Sequence, residues 1–201
     1  MPLPLRRSAL VAVLAAVTLL VAAPVASAAV SFTNWKLTGS LTLAKLRQTV
    51  QFPPGSTFNG TLDNGNLTGD VSVPQFSTRL TVLGLPVDTT LHIVEAQPAT
   101  GTLTVGSGGV ITIDASAAPI LNIVRLSSPI VPLNLVTPGC RTSSPAVLPL
   151  HYVGPLSANG FTFQGTTTIP PLTHCGLATP LLNQLMAGGG NAFTVTIAPP
   201  A

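Results

Sequence analysis

The sequence predicts an all-β chain, an antiparallel β-sandwich or barrel of short strands with one short C-terminal helix and one disulfide. Three observations lead there. Charged residues make up only 6% of the 201 residues, while threonine and valine are abundant; β-branched side chains pack well on a pleated surface and lose rotamer freedom in a helix. Short runs alternate apolar and polar residues with the period of two that sends successive side chains to opposite faces. Gly and Pro, 18 and 20 in number, break those runs at short intervals, as in sandwiches and barrels.

The first element is a secretory signal peptide over residues 1–28. Arg6-Arg7 precedes an apolar run from Ala9 to Ala23, and Ala26-Ser27-Ala28 supplies a small-x-small cleavage site. About 15 apolar residues are too few to cross a bilayer, which takes roughly 20, and Pro24 closes the run. The arginine pair lacks the extended twin-arginine pattern and no cysteine stands near the cleavage site to accept a lipid. The chain ends NAFTVTIAPPA, with no hydrophobic tail, so no anchor and no membrane span is expected in the mature product. Residues 29–201 are expected to form a single β-rich domain, secreted to the cell envelope or the extracellular space, of a length that buries roughly 70% of its unfolded surface. Without Arg6 and Arg7, six basic residues (Lys36, Lys45, Arg47, Arg79, Arg125, Arg141) face five acids, a net charge of +1. They are scattered along the chain and predict no nucleic-acid partner.

Strands are expected in LTLAKL (41–46), TRLTVLGL (78–85), TTLHIVEA (89–96), GVITIDA (109–115), FTFQGTTTI (161–169) and AFTVTI (192–197). In VITID, Ile111 and Ile113 should face a core while Val110, Thr112 and Asp114 face water. Threonine on that wet face leaves a surface of hydroxyls and methyls with little long-range field. Asp63-Asn64-Gly65-Asn66 reads as a hairpin turn and not as a calcium loop, since alternate oxygen ligands and a terminal acid are missing. STFNGTL (56–62) echoes GFTFQGT (160–166), either as two related hairpin units or by chance in a Thr- and Gly-rich chain.

The one helix is expected over 178–190, with Thr179 as cap, Pro180 in the first turn and Gly188–Gly190 as the stop. Leu181, Leu182, Leu185 and Met186 share a side and should cover an open end of the sheet structure. Neither the 188–190 glycines nor GSGG at 106–109 has the strand-to-helix context of a phosphate loop.

In TIPPLTHCG, His174 stands directly before Cys175. The mature chain has two cysteines, Cys140 and Cys175, and an even count in a secreted protein is read as a disulfide. A metal centre would have to draw on Cys140, Cys175, His92, His151 and His174, but no CxxC or HxxxH spacing is present. In an extended chain His174 and Cys175 also point to opposite faces, and an oxidised sulfur is no nucleophile. Hydrolase motifs are lacking. A triad could only be assembled in space, from His92, His151 or His174 as base, Asp63, Asp70, Asp88, Glu95 or Asp114 as orienter, and Ser143 or Ser144 as nucleophile; nothing in the spacing selects any of them. Trp35 and Tyr152 are too few for a stacking platform, and Trp35 and the phenylalanines are read as core. No catalytic, cofactor or metal residue is therefore assigned.

CRTSSPAVLPLHY (140–152), GFTFQGTTTIPPLTHCG (160–176) and the following LLNQL resemble a group of secreted actinobacterial β-rich proteins without assigned activity, whose two cysteines stand in the same CRTSSP and IPPxxxCG contexts. The likeness covers roughly the last 60 residues. It implies an extracytoplasmic β-domain with a disulfide and brings no catalytic residues. The expectation is a non-enzymatic secreted protein with a structural or adhesive role at the envelope. The alternative is a carrier that encloses a lipid or other apolar small molecule in a barrel or cupped sheet, with the C-terminal helix as lid. A motif-free hydrolase is the weaker alternative.

Overall fold

The computed structural model describes residues 29–130, 132–155, 157 and 159–200; the signal peptide expected over 1–28 lies outside them. The chain is mostly strand: β1 Val30–Leu43, β2 Gln48–Gln51, β3 Thr57–Asp63, β4 Asn66–Ser72, β5 Phe76–Val82, β6 Leu85–Glu95, β7 Ala99–Val105, β8 Val110–Ala117, β9 Pro119–Ser127, β10 Arg141–Thr142, β11 Leu148–Pro155, β12 Phe161–Ile169, β13 Leu172–Thr173 and β14 Gly188–Ala198, with one helix, α1 Thr179–Leu185.

Eight strands form a path β11-β8-β7-β4-β3-β1-β14-β12, antiparallel at every step, with β2 paired to the end of β1. The two ends of that path come together: the Thr167 hydroxyl on β12 donates to the carbonyl of Val147, just before β11, at 2.7 Å. The sheet is thus a nearly closed barrel. A second sheet, in the order β13-β10-β9-β6-β5, joins it at one end. The register explains why it lies there. Strands β4, β8 and β12 finish at the same barrel end at which β7, β11 and β14 begin, and every excursion into the second sheet leaves and returns through that end.

Closure depends on glycines inside strands, where the sequence suggests punctuation. Gly60 and Gly69 are directly paired across β3 and β4, both face inward, and the Phe58 ring lies over them. A Cβ on Gly60 would stand 2.7 Å from that ring and one on Gly69 2.4 Å. Removing the side chain lets the sheet coil tightly while a neighbouring aromatic covers the bare backbone. Gly165 on β12 is covered in the same way by Phe193. The echo between β3 and β12 therefore has a structural content, an inward Phe two residues before an inward Gly.

The outward faces carry hydroxyls. Thr42 and Thr49, Thr61 and Thr68, and Thr162 and Thr196 pair across strands at 2.9, 3.1 and 2.8 Å. Ile111 and Ile113 are buried and Val110 and Asp114 exposed, as the alternation predicts. The turn at 63–66 is a two-residue hairpin loop with Asn64 and Gly65 at φ 48° and 80°, the left-handed pair such a loop requires.

Three expected elements shift. TRLTVLGL is not one strand, because Leu83-Gly84 repeats the same turn at φ 51° and 80° and divides β5 from β6. In LTLAKL the strand stops at Leu43 and residues 44–47 turn into β2. The helix runs only from Thr179 to Leu185, after a 3-10 turn over Gly176–Ala178, and Gly188–Gly190 already open β14. Thr179 caps no helix end: its hydroxyl accepts from the Cys175 amide at 3.2 Å and donates to the Gly176 carbonyl at 2.9 Å, closing the preceding turn.

Two cores result. One fills the barrel with Leu37, Phe58, Ile111, Ile113, Phe161, Phe163, Phe193 and Val195. The other lies between the second sheet, α1 and the ends of β1 and β2; it holds Leu43, Leu80, Leu91, Ile123, Leu172, Leu182 and Met186. The Cys140–Cys175 disulfide is buried in this second core.

Candidate functional site

The barrel is not filled. Between its walls lies an apolar cavity of about 150 Å³. Its existence follows from side-chain size: Ala99 on β7 and Ala115 and Ala117 on β8 face inward opposite the large residues of β12 and β14. Ala115 and Ala117 remain partly accessible although they point into the barrel, because they front the void.

Aromatic rings close the end away from the second sheet. Phe32 meets Trp35 edge-on at 4.9 Å, Trp35 stacks on Phe161 at 6.4 Å, and Tyr152 meets Phe161 edge-on at 5.3 Å. Trp35 reaches inward from an irregularity in β1, where the register slips between Phe32 and Trp35; Asn34 there has φ 53°, and its amide donates to Asn59 Oδ1 at 2.7 Å. The other end is covered by Ile93 of β6, Leu121 of β9, Thr142 of β10 and Ala146. The helix is not the lid expected of it: no residue of α1 lines the cavity, and its apolar side packs into the second core.

Three polar side chains on the wall, Thr142, Thr167 and Glu95, have hydrogen-bond partners. The Thr142 hydroxyl accepts from the Leu121 amide at 3.3 Å, and Thr167 donates to Val147. Glu95 accepts from the Val71 and Ala99 amides at 2.8 and 3.1 Å. A water molecule needs two to four polar partners to be held, so this interior favours apolar contents.

Burial raises the Glu95 carboxyl above its ordinary range, outweighing the two amide bonds that pull it down. A carboxyl that binds its proton more tightly folded than unfolded lowers stability above its folded pKa and returns it as pH falls through that pKa. We therefore expect the denaturation midpoint of a Glu95→Ala variant to lack a rise on acidification that the parent chain shows, checked by thermal melts across the acid range. Asp88 has the opposite sign: its hydrogen bond to Arg79 holds it below the usual range.

The residues weighed as catalytic or metal-binding do not assemble. His151 Nδ1 meets Asp114 Oδ1 at 2.6 Å, directly across β11 and β8, on the exposed outer face of the barrel. His92 is exposed on β6, and His174 Nδ1 is 3.1 Å from the hydroxyl of its neighbour Thr173. Ser143 and Ser144 are exposed between β10 and β11. Among the described residues no histidine is hydrogen-bonded to a serine, and no three His, Cys, Asp or Glu side chains converge. Cys175 is fully buried in its disulfide and His174 exposed, but the chain there is not extended: His174 has φ 58°. The cavity itself was beyond sequence reading, because the alanines that create it are ordinary strand residues until their partners across the barrel are known.

The chain matches no protein-family model, no curated protein and no solved structure.

Proposed function

We propose that the protein is a secreted, non-catalytic binding protein of the cell envelope whose barrel takes up a small apolar molecule or the end of an alkyl chain. The observation that carries this reading is the cavity of about 150 Å³, walled mainly by aliphatic and aromatic side chains, with Glu95, Thr142 and Thr167 on its wall already hydrogen-bonded. A dry apolar cavity of that size admits a ligand about as large as benzene. Dispersion contacts from every side replace hydration, and recognition rests on shape.

Trp35 is the chain's one tryptophan and lines the cavity, so its emission reports occupancy. Titration with toluene is expected to shift that emission saturably. Ala115→Leu, which places three further carbons in the void, should weaken the response at least tenfold while leaving the melting temperature equal or higher, because it fills a cavity. A response unchanged by Ala115→Leu would remove the cavity from the account.

A structural or adhesive role keeps one supporting observation, the cross-strand hydroxyl pairs on the outer faces. Retention on purified cell-wall polysaccharide, undiminished by Ala115→Leu, would favour it.

A further inference from the structure

The basic residues that are scattered along the sequence gather in the fold. Arg79, Arg125 and Arg141 lie on the second sheet. Lys45 and Arg47 lie in the turn between β1 and β2, which is tied to β5 because the Gln48 side chain bonds the amide and the carbonyl of Thr81 at 2.6 and 2.7 Å. Of the acids on this sheet, Asp88 is paired with Arg79 and Glu95 faces the barrel. The barrel strands carry Lys36 with Asp63, Asp70 and Asp114. The second sheet with the β1–β2 turn is thus net positive and the barrel strands are net negative.

Exposed aliphatic residues gather at the same end. The β5–β6 hairpin turns at Leu83-Gly84. Asp88 pairs with Ser127, which sets the segment after β9 beside that turn. The chain then returns along β9, with the Leu135 amide donating to the Leu126 carbonyl at 2.8 Å, and β13 runs back along β10 towards the same side. Leu83, Ile130, Leu133 and Leu177 thereby stand on three tips spread along that side of the sheet, from the β5–β6 turn at one edge to the turn after β13 at the other, each between 72% and 101% exposed. The barrel closes on the opposite end of this sheet, at Ile93 and Leu121. Arg125 reaches the middle tip, donating to the Pro132 carbonyl at 3.1 Å.

Leu83 is the informative residue. Its turn has the geometry of Asn64-Gly65, φ 51° and 80° against 48° and 80°. Folding alone favours Asn at that position, since a bulky side chain resists the left-handed region. Here a leucine occupies it and is held out in solvent.

We infer that this end docks on an anionic lipid surface, the leucine tips entering the boundary of the acyl region while the basic side chains meet headgroup phosphates. Separate aliphatic tips, with Arg125 on the middle one and the Lys45–Arg47 turn held to β5 beside the first, suit a fluid bilayer, which each tip enters independently. A polynucleotide would use the cations and leave the leucines in water. The inference does not depend on what the cavity holds.

The test is sedimentation of the mature chain with vesicles of phosphatidylglycerol and phosphatidylcholine in equal parts, and with phosphatidylcholine alone. Binding is expected to the first, at least about tenfold weaker to the second, and weaker as salt rises. Leu83→Asn should lose about tenfold in vesicle affinity while its melting temperature rises by about 2–4 °C, which separates docking from folding. The combined Leu83→Asn, Leu133→Asn, Leu177→Asn variant should not sediment. Failure of the parent chain to bind the anionic vesicles, or full binding by the combined variant, would overturn the inference. So would salt-sensitive binding to single-stranded DNA that the leucine substitutions leave unchanged together with absent vesicle binding.

Discussion

Replacing both cysteines, as C140A/C175A, is expected to lower the unfolding free energy by about 4 kcal/mol, taken from the loss of loop-closure restraint in the unfolded chain. The bridge spans a sequence separation of 35. It joins the segment before β10 to the turn after β13, two strands of only two residues each. Strands that short hold little ladder of their own, so the covalent tie keeps that edge of the second sheet in register. Both sulfurs are buried, and their loss also leaves unfilled space in the second core. For a chain of this size the loss corresponds to a drop in melting temperature of roughly 8–16 °C. Calorimetry of the variant checks it, and a change below about 1 kcal/mol would mean that the second core holds its register without the bridge.

Gly101→Ala is the second large effect. Gly101 faces Ala115 across β7 and β8, and an added Cβ would stand 2.4 Å from the Ala115 Cβ and 2.6 Å from both the Ala115 Cα and the Asp114 carbonyl oxygen. Backbone atoms cannot swing aside, so the two strands must part at this point of the barrel wall. The expected cost is about 3 kcal/mol or more. Gly84→Ala is the internal control: its site is left-handed, at φ 80°, but has open space around it, so only the backbone penalty of about 1–2 kcal/mol applies. Urea denaturation should therefore rank Gly101→Ala clearly below Gly84→Ala. The reverse order would contradict the close approach of β7 and β8, and with it the closure of the barrel.

Much of the β-structure is legible because its signal is local. Period-two alternation marks Ile111 and Ile113 as core, and Asn64-Gly65 announces its turn by residue type. The cysteine count identifies the bridge. What escapes reading depends on partners distant in sequence. Gly60, Gly69 and Gly101 look like breakers until the Phe58 ring or Ala115 is placed against them, which is why a sandwich and a barrel could not be separated. The Leu83-Gly84 turn is hidden because leucine is a poor residue for it. The helix ends early because Gly188 has left-hand φ and begins β14, a choice made by pairing with Ile169 on β12. The cations gather only because every excursion into the second sheet passes through one end of the barrel.

The same distinction governs the site. Ala99, Ala115 and Ala117 open a cavity by what they lack, and most of the aromatic rings that bound it come from β1, β3, β12 and β14. The central claim is that this interior holds an apolar molecule. Native mass spectrometry of the chain produced in its native host and purified without detergent tests it most directly. A population heavier than the disulfide-bonded chain by one discrete small mass, released by organic solvent and absent from Ala115→Leu, is expected. A single species at the mass of the bare chain, unchanged after exposure to solvent-extracted envelope lipids, would contradict it.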